Sequence, residues 1–477
     1  MSPLFLIVTA VVAVLLLLVM VIRVQLPAFL SLLIVSIATA LVAGIGPADV
    51  IPLVMEGLGS TLGNVALLVG LGAMLGAIVE KTGGAEVLAR TFTRALGPTR
   101  VAPALTIASC IISIPIFFDV AFIILVPIVY SFARAAGMKS PLAFGLPLAL
   151  MLFVHVTVPP HPGIVGSAQI TNGDMGLITL LGLALCVPVG IVGYLVSRRL
   201  TAHDFEMLPD TKHNYDTFGT EGAGAEGAAV SAANHLHGPE DGDFVRTRAR
   251  EQTRKPSAAA VLFVIVLPVL MIGTGTIGNS FVDEGTTAAA MLSLIGAPAF
   301  ALLVSALVGL IVLAIPSGYS VSRMGELMDG ALGPAAIVVF VTGAGGVFAA
   351  VLNETGIGEA VADLFTALGF PLILLAFVLA AVLRAAQGSA TVSAITTAGL
   401  LAAPIAAGDY SSYQVALLNL AIGCGAITLS HINDSGFWIV TRYLGLSVLD
   451  GLRTWSVLVT ALGVAGGLVV GVAWIFA

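Results

Sequence analysis

Hydrophobic positions in this chain fall in long unbroken blocks that recur from end to end, not in alternation or in narrow amphipathic stripes. A run of about 18 apolar residues is what a helix needs to cross a hydrocarbon core of ~30 Å. Such blocks predict crossings near 4–22, 26–44, 64–80, 141–158 and 176–197, then 257–275, 287–315, 334–352, 411–430 and 455–476. The first block has no basic flank before it and no small-residue cleavage site after it, so it reads as a retained helix. One long stretch, 198–256, is polar, Gly/Ala-rich and without apolar period, which predicts a flexible cytoplasmic linker between an N-terminal membrane unit (1–197) and a C-terminal one (257–477).

The two units repeat. Aligned without a gap, "MEGLGSTLGNVALLVGLGAMLGAIVEKTGGAEVLARTFT" from Met55 places Met55 on Met328, Glu56 on Asp329, Gly57 on Gly330, Gly70 on Gly343 and Gly72 on Gly345. The match continues with Thr82-Gly83 on Thr355-Gly356, Glu86 on Glu359 and Phe92-Thr93 on Phe365-Thr366. Basic residues in short loops favour the cytoplasmic side. Lys81, Arg90, Arg94 and Arg100 follow the first aligned helix, whereas Glu354, Glu359 and Asp363 follow its counterpart. The expected fold is an all-α polytopic membrane protein of two inverted-topology repeats, each with about five spanning helices plus re-entrant or broken segments. That is the layout of alternating-access transporters.

Four segments violate the rules of an ordinary membrane helix: Cys110–Pro127, "HVTVPPHPGIVGSAQIT" from His155, Leu383–Pro404 and Leu429–Trp438. Freed backbone groups at membrane depth are tolerated only inside protein or along a watery cavity. Asp119, His155, His161, Arg384, His431 and Asp434 lie in or beside these breaks, where a charge costs ~2.5–3.5 kcal/mol even on lenient insertion scales. The prolines Pro115, Pro159 and Pro160 are the helix breakers. Half-helix N-termini exposed by such breaks favour anions, and Arg384 is a candidate anchor for a carboxylate.

Composition sharpens this picture. The chain of 477 residues is 58% hydrophobic and 9% charged, against roughly 25% charged in soluble domains, which excludes a soluble fold. The net charge of −7 says little about partners, because many of the acids lie in the linker. Cys110, Cys186 and Cys424 lack any CxxC spacing and read as packing residues, and His203, His213, His235 and His237 in the linker are too irregularly spaced for a metal site. The six-residue separation of His155 and His161, with prolines between, does not match the one-turn spacing of HExxH, and there is no GxSxG elbow. An intramembrane metal-dependent hydrolase is therefore disfavoured, and no metal, cofactor or nucleic-acid partner is expected. A channel is disfavoured because the chain carries its own inverted pair.

"SIPIFFDVAFIILVPIV", "VPPHPG", "LRAAQGSATVSAITTAG" and "LSHINDSGFW", in this order, resemble the gluconate:proton symporter family (GntP-type permeases) of the larger ion-transporter superfamily. The likeness covers the chain apart from the linker. It implies a secondary-active, multi-pass carrier of the bacterial cytoplasmic (inner) membrane for gluconate or another sugar acid, with relatives that take other hydroxy acids or D-serine, and often a homodimer. The motifs point to Pro115 and Asp119; to Pro159, Pro160, His161 and Gly163; to Gln387, Gly388, Ser389 and Thr391; and to Ser430, His431, Asn433, Asp434 and Ser435. A hydroxylated monocarboxylate would set its carboxylate on helix N-termini with Arg384, and its hydroxyls on Ser389, Thr391, Asn433 and Thr157. Asp119 or Asp434 would carry the coupled proton, or His155, His161 or His431 would, and sodium remains the alternative ion. This chain departs from the family pattern in the His-Val-Thr-Val before its prolines and the Ile-Val-Gly after its glycine. The Gly-rich stretches (Gly70, Gly72, Gly76; Gly343, Gly345, Gly346) suit close helix packing, within or between protomers.

Overall fold

The computed structural model describes residues 2–24, 26–97, 100–202, 205–217, 255–283, 285–357, 360, 371–432 and 434–477. These residues are helical throughout, with no strand among them. The first series runs α1 (Pro3–Leu18), α2 (Ala28–Val42), α3 (Pro47–Lys81), α4 (Gly84–Leu96), α5 (Val101–Ile112) and α6 (Phe118–Ala135). It continues with α7 (Leu142–Gly145), α8 (Leu150–Thr157), α9 (Pro162–Ile170), α10 (Met175–Leu200) and α11 (Pro209–Thr217). The second series is α12 (Ala258–Gly278), α13 (Thr287–Gly296), α14 (Pro298–Gly309), α15 (Val321–Gly330), α16 (Leu332–Glu354) and α17 (Leu372–Gln387). After these come α18 (Ala390–Ala407), α19 (Ser412–Ile427), α20 (Ser435–Leu444), α21 (Val448–Gly451) and α22 (Val457–Ile475).

Local chemistry sets many of the ends. Ser2, Asp174, Ser257 and Thr286 each accept from a first-turn N–H, and Ser411 with Gln414 closes a capping box on α19. Among the described residues seven helical segments are long and apolar enough to cross a membrane: 47–81, 118–135, 142–170, 175–200, 258–278, 390–407 and 448–475. An eighth arises if Thr287–Gly296 and Pro298–Ala314, bent by 64°, form one span. The pattern of apolar blocks misplaces two of these. Residues 118–135 and 390–407, expected as broken segments, are continuous helices of 18 residues. The breakers stand ahead of them: Pro115 lies in the turn before α6, and Gly388 (φ 76°) closes α17 in the left-handed region that favours glycine. The helices at 28–42 and 412–427, expected as full crossings, have 15 and 16 residues.

The Gly-rich stretches pack within the chain. A Cβ on Gly76 would stand 2.3 Å from the Pro115 carbonyl oxygen and one on Gly72 2.6 Å from the Pro160 ring, so α3 lies directly against both breaks of the first series. Gly343 of α16 takes Leu58 and Leu62 of α3, and Gly345 takes Ile395 of α18.

The beginning of the expected linker has structure of its own. α10 continues to Leu200, and residues 205–217 latch onto the ends of α6 and α20. Leu208 N–H donates to the Gly445 carbonyl (2.8 Å), Thr211 Oγ1 to that of Arg442 (3.0 Å), and the Tyr215 hydroxyl to that of Met138 (2.9 Å). Arg134 returns the grip by donating to the carbonyls of Tyr215 and Asp216. Tyr215 stands edge-on to Tyr130 with ring centroids 5.2 Å apart, and Tyr130 donates to the Tyr443 carbonyl (2.5 Å). Met207 and Tyr215 are buried, which is why this part of a polar stretch folds. His213 lies in α11, whereas His203, His235 and His237 fall outside the described residues. Truncating a buried aromatic costs about 3 kcal/mol. Tyr215→Ala should therefore lower the thermal midpoint of the detergent-solubilised protein by several degrees, measured by intrinsic fluorescence. An unchanged midpoint would show that the latch is not a structural element.

Candidate functional site

Helix α5 ends at Ile112 and α6 begins at Phe118; α8 ends at Thr157 and α9 begins at Pro162. The second series repeats the arrangement, with breaks between α17 and α18 and between α19 and α20. The helices that restart after these breaks bring their N-termini to one cavity of about 380 Å³. Its wall is formed by Phe117, Phe118 and Asp119 of α6, Pro162 of α9, Ser389, Ala390 and Thr391 of α18, and Asp434, Ser435 and Gly436 of α20. Val120 of α6, Leu152 and His155 of α8, Arg384 of α17 and Gly388 just after it complete it. A volume in the range of roughly 300–1,000 Å³ suits a small-molecule site.

The first-turn N–H groups of a helix have no intrahelical acceptor, and the N-terminus carries the equivalent of about half a positive charge. In α6 the ladder begins with Ala121 N–H to the Phe117 carbonyl (2.9 Å), and in α9 with Val165 to His161 (3.0 Å). Neither helix has a side-chain cap, so the N–H groups of Phe118, Asp119, Val120, Gly163 and Ile164 are left over. Ser389 caps α18 through Val392 N–H (3.3 Å), and Asp434 caps α20 through Gly436 N–H (3.1 Å). Together the four termini make an anion-attracting wall from backbone alone.

Charged side chains are distributed unequally around it. Arg384, 1% exposed, is paired with Asp434 Oδ2 and also donates to the Gly388 carbonyl. Ser430 donates to the same Asp434 oxygen and receives the indole N–H of Trp455 (2.9 Å). Asp434 is thus a cap and half of a buried ion pair, which removes it from the position of a free carboxyl. Asp119 stands open to the cavity with no hydrogen bond or ion pair among the described residues. The wall therefore carries one uncompensated acid.

Of the expected residues, the structure brings Asp119, His155, Arg384, Gly388, Ser389, Thr391, Asp434 and Ser435 to the cavity. Gly163 backs this wall, its Cα facing the Thr391 backbone. Others are turned elsewhere. The Thr157 hydroxyl bonds back to the Phe153 carbonyl of its own helix (2.8 Å). His161 holds the Ser113 carbonyl at the end of α5 (2.6 Å), His431 holds the Ala385 carbonyl near the end of α17 (2.9 Å), and Ser430 is spent on Asp434. Pro115, Pro159 and Pro160, with Pro159–Pro160 in cis, line a separate apolar crevice of about 20 Å³. The side chain of Gln387 and the whole of Asn433 lie outside the described residues. Sequence reasoning missed Phe117, Phe118 and Gly436 on the wall, although all three adjoin motif residues. It also missed Trp455, whose distance from any motif leaves no signal to find it.

Comparison with known proteins places the chain among transporters. The inner membrane permease YgbN of Escherichia coli K12 is 42% identical over 475 residues, covering 99% of both chains. The low-affinity gluconate transporter of the same organism is 35% identical over 475 residues, covering 98% of each. The crystal structure of the Alcanivorax borkumensis YdaH transporter, described as having an unusual topology, matches with a TM-score of 0.58 over 94% of this chain and 97% of that one. At 14% identity, that likeness is one of fold. Residues 5–476 match the GntP family permeases. With a polytopic helical fold, a polar cavity walled by broken helices and this match along nearly its whole length, the chain belongs to the GntP permease family.

Proposed function

We infer that the protein imports gluconate or a closely related sugar acid across the bacterial cytoplasmic membrane by proton symport. The observation that carries this reading is the pairing of four helix N-termini with one uncompensated carboxyl, Asp119, on the wall of the same cavity. The termini and the Ser389, Thr391 and Ser435 hydroxyls suit a hydroxylated monocarboxylate. Arg384 and Asp434 cancel, so ionised Asp119 leaves the wall with a net negative charge. At a separation of about 6 Å and an effective dielectric of ~20, two like charges repel by roughly 3 kcal/mol. Protonating Asp119 removes that repulsion. A proton and an anion therefore favour each other's binding, which is the thermodynamic requirement of symport.

Alternating access follows from pairing the two series as inverted repeats. The recurrence of helix, break, helix in α5–α6 and α17–α18, and again in α8–α9 and α19–α20, supports that pairing. The cavity lies where the broken helices of both series meet. The same reading makes the protein a carrier rather than an enzyme.

In proteoliposomes, an inward proton gradient should drive accumulation of labelled gluconate, and a sodium gradient alone should not. Accumulation under sodium only would reassign the coupling ion. Asp119→Asn should abolish gradient-driven accumulation while retaining gluconate counterflow, because a neutral amide mimics the protonated acid permanently; retained accumulation would exclude Asp119 as the carrier. Arg384→Ala, which leaves Asp434 buried and unpaired, should cost about 3–5 kcal/mol. The double variant Arg384→Ala/Asp434→Ala should recover much of that stability without recovering transport, as read by thermal midpoint and uptake side by side.

A further inference from the structure

The three histidines near the breaks differ in one respect. His161 Nε2 meets the Ser113 carbonyl at 2.6 Å, and His431 Nε2 meets the Ala385 carbonyl at 2.9 Å. His155 makes no hydrogen bond to any described residue, and its Nδ1 is sealed from solvent without a partner. The ring is nonetheless held in place. It lies on His161 with centroids 3.9 Å apart and against Phe117 at 5.8 Å, and it forms part of the cavity wall. The other buried side-chain nitrogen without a partner among the described residues, Arg384 Nε, belongs to the same wall.

A buried polar group without a partner carries a desolvation cost and calls for an explanation. Packing does not supply it, since a phenyl ring would stack equally well on His161 and Phe117. Proton carriage does not require it either, because Asp119 already provides the uncompensated titratable group. What an oriented imidazole at a cavity wall adds is one ring nitrogen at a fixed position, a donor or an acceptor according to its tautomer; with Nδ1 sealed, that nitrogen is Nε2. Either role suits a hydroxyl, which both gives and accepts.

We propose that His155 is a specificity residue that hydrogen-bonds a hydroxyl of the substrate and so rejects acids lacking that hydroxyl. The proposal rests on the reading of this cavity as a hydroxy-acid site. The mechanism of rejection is the partner left unpaired: a site built to bond a hydroxyl loses more with the deoxy analogue than an apolar pocket would.

The test is competition of labelled gluconate uptake in proteoliposomes by unlabelled gluconate and each monodeoxygluconate, in wild type, His155→Phe and His155→Gln. Wild type should prefer gluconate to one deoxy analogue by about 10–100-fold. His155→Phe should collapse that ratio toward one by weakening gluconate alone, and His155→Gln, which retains a donor and an acceptor, should restore part of it. A purely structural role would weaken all ligands equally and leave the ratio unchanged, which would overturn the proposal, as would a wild type indifferent to every deoxy analogue. Should wild type take up another hydroxy acid but not gluconate, the substrate assignment falls and the His155 ratio is measured with that acid and its deoxy forms. No uptake of any hydroxy acid overturns both.

Discussion

The structure depends on a single constraint: a helix interrupted at membrane depth exposes backbone donors that lipid cannot satisfy. Four interruptions scattered through the hydrocarbon would be four separate penalties. Here α6, α9, α18 and α20 all restart at one cavity, so the donors freed by each break share a single polar space. Much else follows from gathering them. The glycines of α3 admit the Pro115 and Pro160 turns without a clash, and α16 and α18 close over the other side. The ion pair of Arg384 with Asp434 fastens the end of α17 to the start of α20, joining two of the breaks through side chains.

The same pooling explains why so polar a site survives in so apolar a chain. Most polar side chains near the breaks have a defined task. His161 and His431 occupy carbonyls left open where α5 and α17 end, Ser389 and Asp434 cap the helices that follow, and Ser430 with Trp455 steadies the Asp434 carboxylate. Asp119, His155, Thr391 and Ser435, all on the wall, are left without such a task. A site in which most groups are committed to architecture and a few are free is one in which function can be located by subtraction.

The breaks themselves were legible in the sequence because Pro115, Pro159-Pro160, Gly388 and the "SHINDSG" run have strong local meanings that tertiary context does not overturn. The membrane class was legible from block length, and the family from four motifs. What could not be read was the choice of partner among several polar residues close in sequence. Thr157 and Ser389 are equally good hydroxyls on paper; one turns back to its own helix and the other caps an N-terminus facing the cavity. Asp119 and Asp434 are interchangeable on paper; Arg384, fifty residues from the latter, claims it in the fold. The latch of 205–217 was hidden for a similar reason, since Met207 and Tyr215 are too few to register against a polar background.

The four converging N-termini also bear on how such a site can change over generations. A charged side chain can be replaced in one mutational step, but a helix dipole belongs to the peptide backbone and persists under almost any substitution that leaves the helix intact. The sign of the ligand's charge is therefore written in the least mutable part of the molecule, whereas the side chains on the wall are free to vary. Descendants of this architecture should find it easy to exchange one small acid for another and very hard to become carriers of cations.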